Sequence, residues 1–425
     1  MKIHIKHGHL IDPKNNIDAK QDIFIAAGKV LAIGQSPADF TPNQVIDATG
    51  LMICPGLVDL SARLREPGSG YKATIKSELQ AAVAGGVTSL ACSPDTQPVL
   101  DEPGLVEMLK HRAKQLNLTH VYPLGALTRK LEGKQLSEMC KLTDAGCIGF
   151  SQADTPITDN QVLLRAMQYA ATFGYTLHLR AEDFYLAQDG VAHDGEVANR
   201  LGLKGIPSAA EVLALATMLR LAQETNTKLH LCRLSTAEGV AMVRDAKKCG
   251  VTVTCDVSIN HLHLTEMDIG FFNTDCHVKP PLRTQRDKQA LSQGLLDGTI
   301  DAICSDHAPV NEDAKLMPFA ETEAGATGLE LLLPLALKWA QHYKVSMPQM
   351  IALISSTPAK ILGVHAGGLT MGDVADMCIF NADQYRTVLA DRLVSQGKNT
   401  PFKGLELTGV VRWTIMHGQV VFQDT

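Results

Sequence analysis

The sequence has 425 residues, of which 45% are hydrophobic, and a formal net charge of −6 at pH 7. A chain of this length can bury one large core and one smaller core, and the lack of a basic block argues against a nucleic-acid partner. No apolar run of about 18 residues occurs and the N-terminus lacks the apolar core of a signal peptide, so we expect a cytoplasmic protein without a membrane span.

Strand-like and helix-like patterns follow one another along the chain in three regions. Residues 1–50 contain short strands separated by glycines, and residues 367–425 have the same pattern. Between them, the predicted strands cover 52–60, 87–92, 120–126, 147–150, 175–179, 228–232, 251–255 and 300–304. The predicted helices cover 72–85, 102–116, 135–145, 160–173, 207–225, 236–248, 284–297 and 326–342.

Eight strands that are each followed by a helix predict an α/β fold, a closed (β/α)8 TIM barrel. We expect this barrel to span residues 51–366. An open doubly wound sheet is the alternative because periodicity does not reveal closure, but no G-x-G-x-x-G motif follows the first strand. Neither terminal segment is long enough to form a good core alone. We therefore predict that residues 1–50 and 367–425 pair into one small β domain.

The side chains that follow the strands of such a barrel meet at one face, where active sites lie. Arg63, Arg180 and Arg233 follow predicted strands 1, 5 and 6. Three guanidiniums at one point would repel a divalent cation. We expect them to fill the barrel mouth by pairing with neighbouring carboxylates; the alternative is that they bind an anionic ligand such as a phosphate or a carboxylate. The expected partners are Asp306, Glu182 and Asp183.

A series of short motifs runs through the barrel region in a fixed order. They are Leu-Arg-Glu-Pro-Gly (64–68), Ala-Gly-Gly-Val-Thr (84–88), Arg-Ala-Glu-Asp (180–183), His-Leu-Cys-Arg-Leu-Ser-Thr (230–236), Pro-Pro-Leu-Arg (280–283), Ser-Asp-His-Ala-Pro (305–309), Gly-Leu-Glu (328–330), Pro-Ala-Lys-Ile-Leu-Gly (358–363) and Gly-Asp-Val-Ala-Asp (372–376). With these motifs, the chain resembles the type I dihydroorotases of the amidohydrolase superfamily from about residue 50 to 385. The resemblance implies a zinc enzyme that hydrolyses and closes the dihydroorotate ring.

Carried over position by position, the resemblance implies that the metal site is degenerate. The family's metal ligands fall on Ser61, Arg63, Gln152 or Ala153, Arg180 and Arg233. Asp306, which in the family transfers the proton of the metal-bound water, is retained as a vestige. Arg65 matches the arginine that grips the substrate carboxylate, whereas its partner asparagine falls on Asp95. We therefore expect no intact catalytic set, no metal and no cofactor.

The loss of zinc decides the predicted activity. Zinc lowers the pKa of a bound water from about 15.7 to about 7. A general base such as Asp306, acting alone, increases the reaction rate by only about 10²–10⁴-fold. The chain is similar to degenerate dihydroorotase-like subunits that assemble with the catalytic chain of aspartate carbamoyltransferase. This similarity implies a non-catalytic assembly subunit in pyrimidine biosynthesis, within a homo- and hetero-oligomer that is a dodecamer in that group. The alternative is an active, metal-dependent cyclic amidohydrolase, dihydroorotase-like or hydantoinase-like, with an altered site.

Two further patterns contain residue types that are common in functional sites, but we expect neither to form one. One pattern is the H-x-H pair His261 and His263, which could form a displaced metal site with His307. In the family that the chain resembles, however, the histidines near residue 261 lie in a substrate loop and are not metal ligands. Cys304, Ser305, Asp306 and His307 contain the residue types of a nucleophilic triad. Adjacent residues on a strand point to opposite faces, so we expect no triad there.

Overall fold

The structure is a computed structural model that describes residues 1–424, and its N-terminal part is a small β domain. The strands of this part are β1 Lys2–Lys6, β2 His9–Asp12, β3 Ile17–Lys20, β4 Ile23–Ala26, β5 Lys29–Ile33, β6 Gln44–Asp47 and β7 Met52–Pro55. One sheet has the order β5-β4-β1-β6, whereas β7 lies beside β2 in a second sheet. The predicted single strand over 52–60 therefore covers the last strand of this domain and the first strand of the next.

The central part is a parallel barrel of eight strands. Its strands are β8 Leu57–Ala62, β9 Val87–Cys92, β10 His120–Ala126, β11 Gly149–Ser151, β12 Thr176–Leu179, β15 Lys228–Leu231, β16 Val253–Ser258 and β17 Ala302–Cys304. Two short strands, β13 Ala192–His193 and β14 Gly205–Ile206, lie in the loop after β12 and pair with each other. The sheet order is β17-β16-β15-β12-β11-β10-β9-β8. A parallel bridge between Ala62 and His307 joins the first strand to the last and closes the barrel.

Helices connect the strands, and the longer helices pack against the outside of the barrel. The helices are α1 Ile75–Ala84, α2 Pro103–Leu116, α3 Met139–Ala145, α4 Asn160–Phe173, α5 Phe184–Ala187, α6 Glu196–Leu201, α7 Ser208–Thr225, α8 Ala237–Lys248, α9 Ile259–His263, α10 Gln285–Leu296, α11 Leu332–Tyr343, α12 Met347–Ile354 and α13 Ser356–Leu362. Threonine side chains cap three of them: Thr74, Thr236 and Thr284 each accept a hydrogen bond from a backbone N–H of the first turn. Within residues 1–424, none of the helices is long and apolar enough to cross a membrane.

The C-terminal segment returns to the small β domain. Its strands are β18 Met377–Thr387, β19 Glu406–Met416 and β20 Gln419–Gln423. They extend the second sheet, whose order is β20-β19-β18-β7-β2-β3, so that both ends of the chain lie in one sheet. The predicted fold class, a TIM barrel with a small β domain built from both termini, is confirmed. The exact limits of the domains at residues 50 and 366 stay a prediction.

Candidate functional site at the mouth of the barrel

Four charged residues that the sequence placed at the ends of different strands come together at one face of the barrel. Arg63 follows β8, Arg180 follows β12, Arg233 follows β15 and Asp306 lies just after β17. All four are buried, with exposed fractions between 4% and 7%. Because the strands are parallel, their carboxyl ends converge and bring these side chains into one cluster.

Asp154, in the loop after β11, lies at the centre of the cluster. Its Oδ1 accepts hydrogen bonds from Arg180 Nε at 2.9 Å and from Arg233 Nη2. Its Oδ2 accepts a hydrogen bond from Arg63 Nη2. One carboxylate thus bridges three guanidiniums that come from three different strands.

Each arginine also has an acidic partner of its own. Asp95 accepts from Arg63 Nε at 2.7 Å. Glu182 accepts two hydrogen bonds from Arg180, at 2.6 and 2.7 Å, in the paired geometry that suits a guanidinium and a carboxylate. Asp306 accepts from Arg233 Nη1 at 2.9 Å. The arginines therefore lie in an ion-pair network that spans the mouth.

The expected pairing with Asp183 is wrong. The Asp183 carboxylate accepts a hydrogen bond from Leu186 N at 2.9 Å and caps the first turn of α5. An aspartate directly before a helix is held by the unsatisfied N–H groups of that helix, and this local bond competes with a distant arginine.

The two aspartates that contact Arg233 differ in their electrostatics. Burial raises the pKa of the Asp154 carboxyl, but Arg233, Arg63 and Arg180 outweigh burial and hold this pKa well below its ordinary value. Burial also raises the pKa of Asp306, and there the nearby Arg233 and Arg63 do not fully reverse the effect. Asp154 is therefore the firmly ionised centre of the network.

Comparison with known proteins places the chain in a family. A family model described as dihydro-orotase-like matches residues 50–239. A dihydroorotase-like protein of Pseudomonas aeruginosa is 43% identical over 423 residues, which covers 100% of both chains. A dihydroorotase of Geobacter sp. strain M21 is 40% identical over 423 residues, again covering 100% of both. The chain belongs to the dihydroorotase-like family.

Solved structures support the fold of this dihydroorotase-like protein. An L-hydantoinase (dihydropyrimidinase) from Arthrobacter aurescens superposes with a TM-score of 0.88 at 24% identity, covering 99% of this chain and 96% of that chain. A dihydropyrimidinase from Brevibacillus agri gives a TM-score of 0.86 at 21% identity, covering 100% of this chain and 95% of that chain. At these identities the likeness establishes the fold alone.

The other degenerate metal positions of this dihydroorotase-like chain lie outside the arginine network. Gln152 is turned away, because its side-chain amide accepts from Thr128 Oγ1 at 3.0 Å and donates to Leu131 O at 2.8 Å. Ala153 packs in a small apolar cluster with Leu131. The backbone carbonyl of Ser61 accepts from His307 N at 3.0 Å, in the contact that closes the barrel.

The residues at these positions do not fit the zinc that the family implies. Guanidinium groups have no lone pair for a metal and keep their charge at any physiological pH. Alanine offers no ligand atom, and the glutamine amide is used by neighbouring backbone and hydroxyl groups. Of the carried-over set, Asp306 alone is a usual zinc ligand, and it is already paired with Arg233. The barrel mouth therefore lacks the ligand set that a hydrolytic zinc ion needs.

The two vestigial substrate positions border a cavity of about 230 Å³ at the mouth. Arg65 donates from Nε to Pro309 O at 2.9 Å, and its Nη2 lies 3.7 Å from Glu323. Asp95 is held by Arg63. Both polar groups are thus engaged by the protein itself.

The two other sequence patterns are dispersed by the fold. His261 Nε2 donates to Pro281 O at 3.1 Å and His263 Nε2 donates to Leu335 O at 2.9 Å. His307 contacts Glu78 through Nε2 at 2.7 Å. Ser305 Oγ donates to Asp59 at 2.6 Å, so neither a metal cluster nor a triad forms from these residues.

Proposed function

We propose that this chain is a non-catalytic member of the dihydroorotase-like family that serves as an assembly subunit of aspartate carbamoyltransferase in pyrimidine biosynthesis. The observation that carries the proposal is the Asp154-centred network, in which three permanent cations lie where a hydrolytic site needs neutral imidazoles and carboxylates. A barrel kept intact around a mouth that is spanned by ion pairs is consistent with selection for the outer surface of the protein rather than for turnover.

Energetic reasoning supports this interpretation. A carboxylate at the barrel mouth without a metal would be a buried charge, which is costly unless it is paired. Arg233 supplies the charge that balances Asp306, at 2.9 Å. The same cations could stabilise the oxyanion of a hydrolytic transition state by about 3–4 kcal/mol. This stabilisation does not replace the hydroxide nucleophile that zinc supplies.

Co-expression with the catalytic chain of aspartate carbamoyltransferase from the same organism tests the proposal. Size-exclusion chromatography with light scattering should give one peak that contains both chains and carries transcarbamoylase activity. The variant Asp306→Asn is the matched control and should assemble equally well, because the proposed role lies in surfaces outside the barrel mouth. Two separate peaks, with full transcarbamoylase activity in the peak without this chain, would contradict the proposal.

The second candidate is an active cyclic amidohydrolase with an altered site. It is favoured by the relatives named dihydroorotase, such as the Geobacter protein at 40% identity. Hydrolysis of dihydroorotate and of hydantoin should be measured on the full-length protein with added ZnCl2, beside Asp306→Asn. We expect the two proteins to show the same background rate. Turnover that Asp306→Asn abolishes would establish this second function instead.

A further inference from the structure

A cluster of histidine and cysteine side chains lies in the barrel interior, on residues other than those that match the family's metal ligands. His178 of β12 and His230 of β15 are paired in the register of two adjacent parallel strands. One ligand atom each from His178, His230 and Cys232 lies within 4.8 Å of the others. Leu177, Leu179, Leu229 and Leu231 belong to the large hydrophobic cluster that includes the helices. Since residues alternate along a strand, the two histidines point to the opposite side, the barrel interior.

His178 has an unexplained buried ring. Its side chain is 1% exposed, and neither ring nitrogen has a hydrogen-bond partner among the described residues. Buried polar groups almost always have a partner, and leaving one unsatisfied costs about 1–3 kcal/mol. Burial, with His230 nearby, holds the pKa of His178 well below its ordinary value, so that the ring is neutral and has a lone pair to offer. A neutral imidazole with a free nitrogen is the form that binds metals.

His230 is oriented in the way that suits a metal ligand. One ring nitrogen, Nε2, lies 2.9 Å from Asp256 Oδ2, and Nδ1 lies 2.9 Å from Thr254 Oγ1. Metal-bound histidines usually keep a hydrogen bond from the second nitrogen to a carboxylate or another oxygen, which fixes the ring. Binding would exchange one of these two hydrogen bonds for a coordinate bond while the other continues to hold the ring.

Cys232 supplies the third group. Its backbone N–H donates to Leu179 O at 2.9 Å, which places the residue just beyond the end of β15 beside β12. Burial raises the pKa of the Cys232 thiol well above its ordinary value, so the free protein holds the neutral thiol. A divalent cation adds positive charge directly at the sulfur, and the thiol proton is released to solvent when the sulfur binds the metal.

From this juxtaposition we infer that the barrel interior of this protein binds one Zn²⁺ ion through His178, His230 and Cys232. Two imidazoles and one thiolate suit zinc and do not suit Mg²⁺ or Ca²⁺, which prefer oxygen ligands. Tetrahedral zinc with such ligands needs donor atoms about 3.3–3.6 Å apart, so side-chain movements of about 1 Å close the site. The site is independent of the proposed assembly role, and the inference assigns metal binding, not catalysis.

Cobalt substitution of the full-length protein tests the inference. Metal-free protein is titrated with CoCl2, and a thiolate-to-cobalt charge-transfer band in the near ultraviolet reports a cysteine ligand directly. Wild type should show this band at about one equivalent of metal, and ZnCl2 should displace the cobalt. Cys232→Ser should abolish the band. Cys304→Ser is the matched control, since Cys304 is also buried and lies 3.3 Å from Asp256, yet it is outside the cluster; it should keep the band.

A second variant keeps the test informative if Cys232→Ser does not fold. His178→Asn retains the thiol and should weaken metal binding at least tenfold, with circular dichroism as the check on folding. Absence of metal binding by wild type, or a charge-transfer band that persists in Cys232→Ser, would overturn the inference.

Two further outcomes would assign the metal to another site and would also overturn the inference. The side chains of His120, Asp376 and His417 form a more exposed group of possible ligands. Binding that is lost in His417→Ala and shows no thiolate band would assign the metal to that surface. Binding that is lost in Asp306→Asn but kept in Cys232→Ser would assign it to the barrel mouth. Only this last result would also contradict the non-catalytic function.

Discussion

Asp154 holds the barrel mouth together because three buried guanidiniums share its two oxygens. Asp154→Ala should lower the free energy of unfolding by about 3–5 kcal/mol, since it leaves several cations without their common partner. Urea unfolding followed by circular dichroism measures this difference. Glu224→Ala is the control, because Glu224 pairs with Arg220 on the exposed face of α7 and should cost less than about 1 kcal/mol. A loss below 1 kcal/mol for Asp154→Ala would show that the network does not stabilise the fold.

A double-mutant cycle separates the network from the single residues. Arg233→Ala removes the partner of both Asp154 and Asp306 and should lower the melting temperature. Combined with Asp154→Ala, its effect should fall short of the sum by about 1–3 kcal/mol, because the two residues lose one shared interaction. Strictly additive losses would mean that Arg233 and Asp154 act separately.

The arginines of this site could be predicted from the sequence, whereas its central anion could not. Strand ends identify Arg63, Arg180 and Arg233, and the motif order identifies Asp306. The family resemblance assigns the carboxylate after β11 to Gln152 or Ala153. In the structure Ala153 has φ of 51°, a left-handed conformation that turns the chain, and the next residue, Asp154, enters the cluster. A backbone turn of this kind leaves no signal in residue type.

Helix α1 is tied to the barrel and to the segment after β18 by one buried side chain. Glu78 accepts from His307 Nε2 at 2.7 Å and from Ser395 Oγ at 2.6 Å. His307 Nδ1 accepts from Gly328 N at 3.1 Å, so its Nε2 carries the hydrogen that binds Glu78. The sequence gives no sign of these contacts, because Glu78 is separated from its two partners by 229 and 317 residues.

The other oxygen of Glu78, Oε1, accepts from Gln396 N at 3.1 Å and from Ser77 Oγ at 2.7 Å. Glu78→Gln should weaken this junction, because the amide places a donor where one of the two carboxylate oxygens accepts. We expect a loss of about 2–4 kcal/mol in the free energy of unfolding. Hydrogen exchange should become faster in residues 393–399 than in α2 or α4. Glu107→Gln on the exposed side of α2 is the control and should leave both measurements unchanged. Unchanged exchange in residues 393–399 of Glu78→Gln would contradict the proposed role of this contact.

The alternation of strands and helices along the chain predicts the eight strands of the barrel, but it does not by itself show that the sheet closes. The predicted helix over 160–173 coincides with α4, and the strand over 87–92 coincides with β9. The pattern did not separate β7 from β8, because a buried run of apolar residues continues across Pro55 and Gly56 from one domain to the other. Strand pairing, not hydrophobicity, assigns β7 to the small domain, where it lies beside β18 and β2.

Buried neutral histidines make the stability of the whole chain dependent on pH. Burial lowers the pKa values of His261, His263 and His277 to about 4. Between pH 6.5 and 4 the unfolded chain binds protons at these positions and the folded chain does not, so stability falls as the pH falls through this window. Burial raises the pKa of Asp59 to about 6 and that of Glu330 to about 7, and these two groups act in the opposite direction.

A single variant isolates the contribution of His261, which is 2% exposed. His261→Gln keeps a donor for Pro281 O but cannot be protonated. Relative to this variant, wild type should lose up to about 3 kcal/mol of stability between pH 7 and pH 4, because its pKa of about 4 lies well below that of an exposed histidine. Urea unfolding at several pH values measures the difference, and His111→Gln, at an exposed position, should follow wild type throughout. Parallel pH profiles for wild type and His261→Gln would mean that His261 becomes protonated in the folded protein.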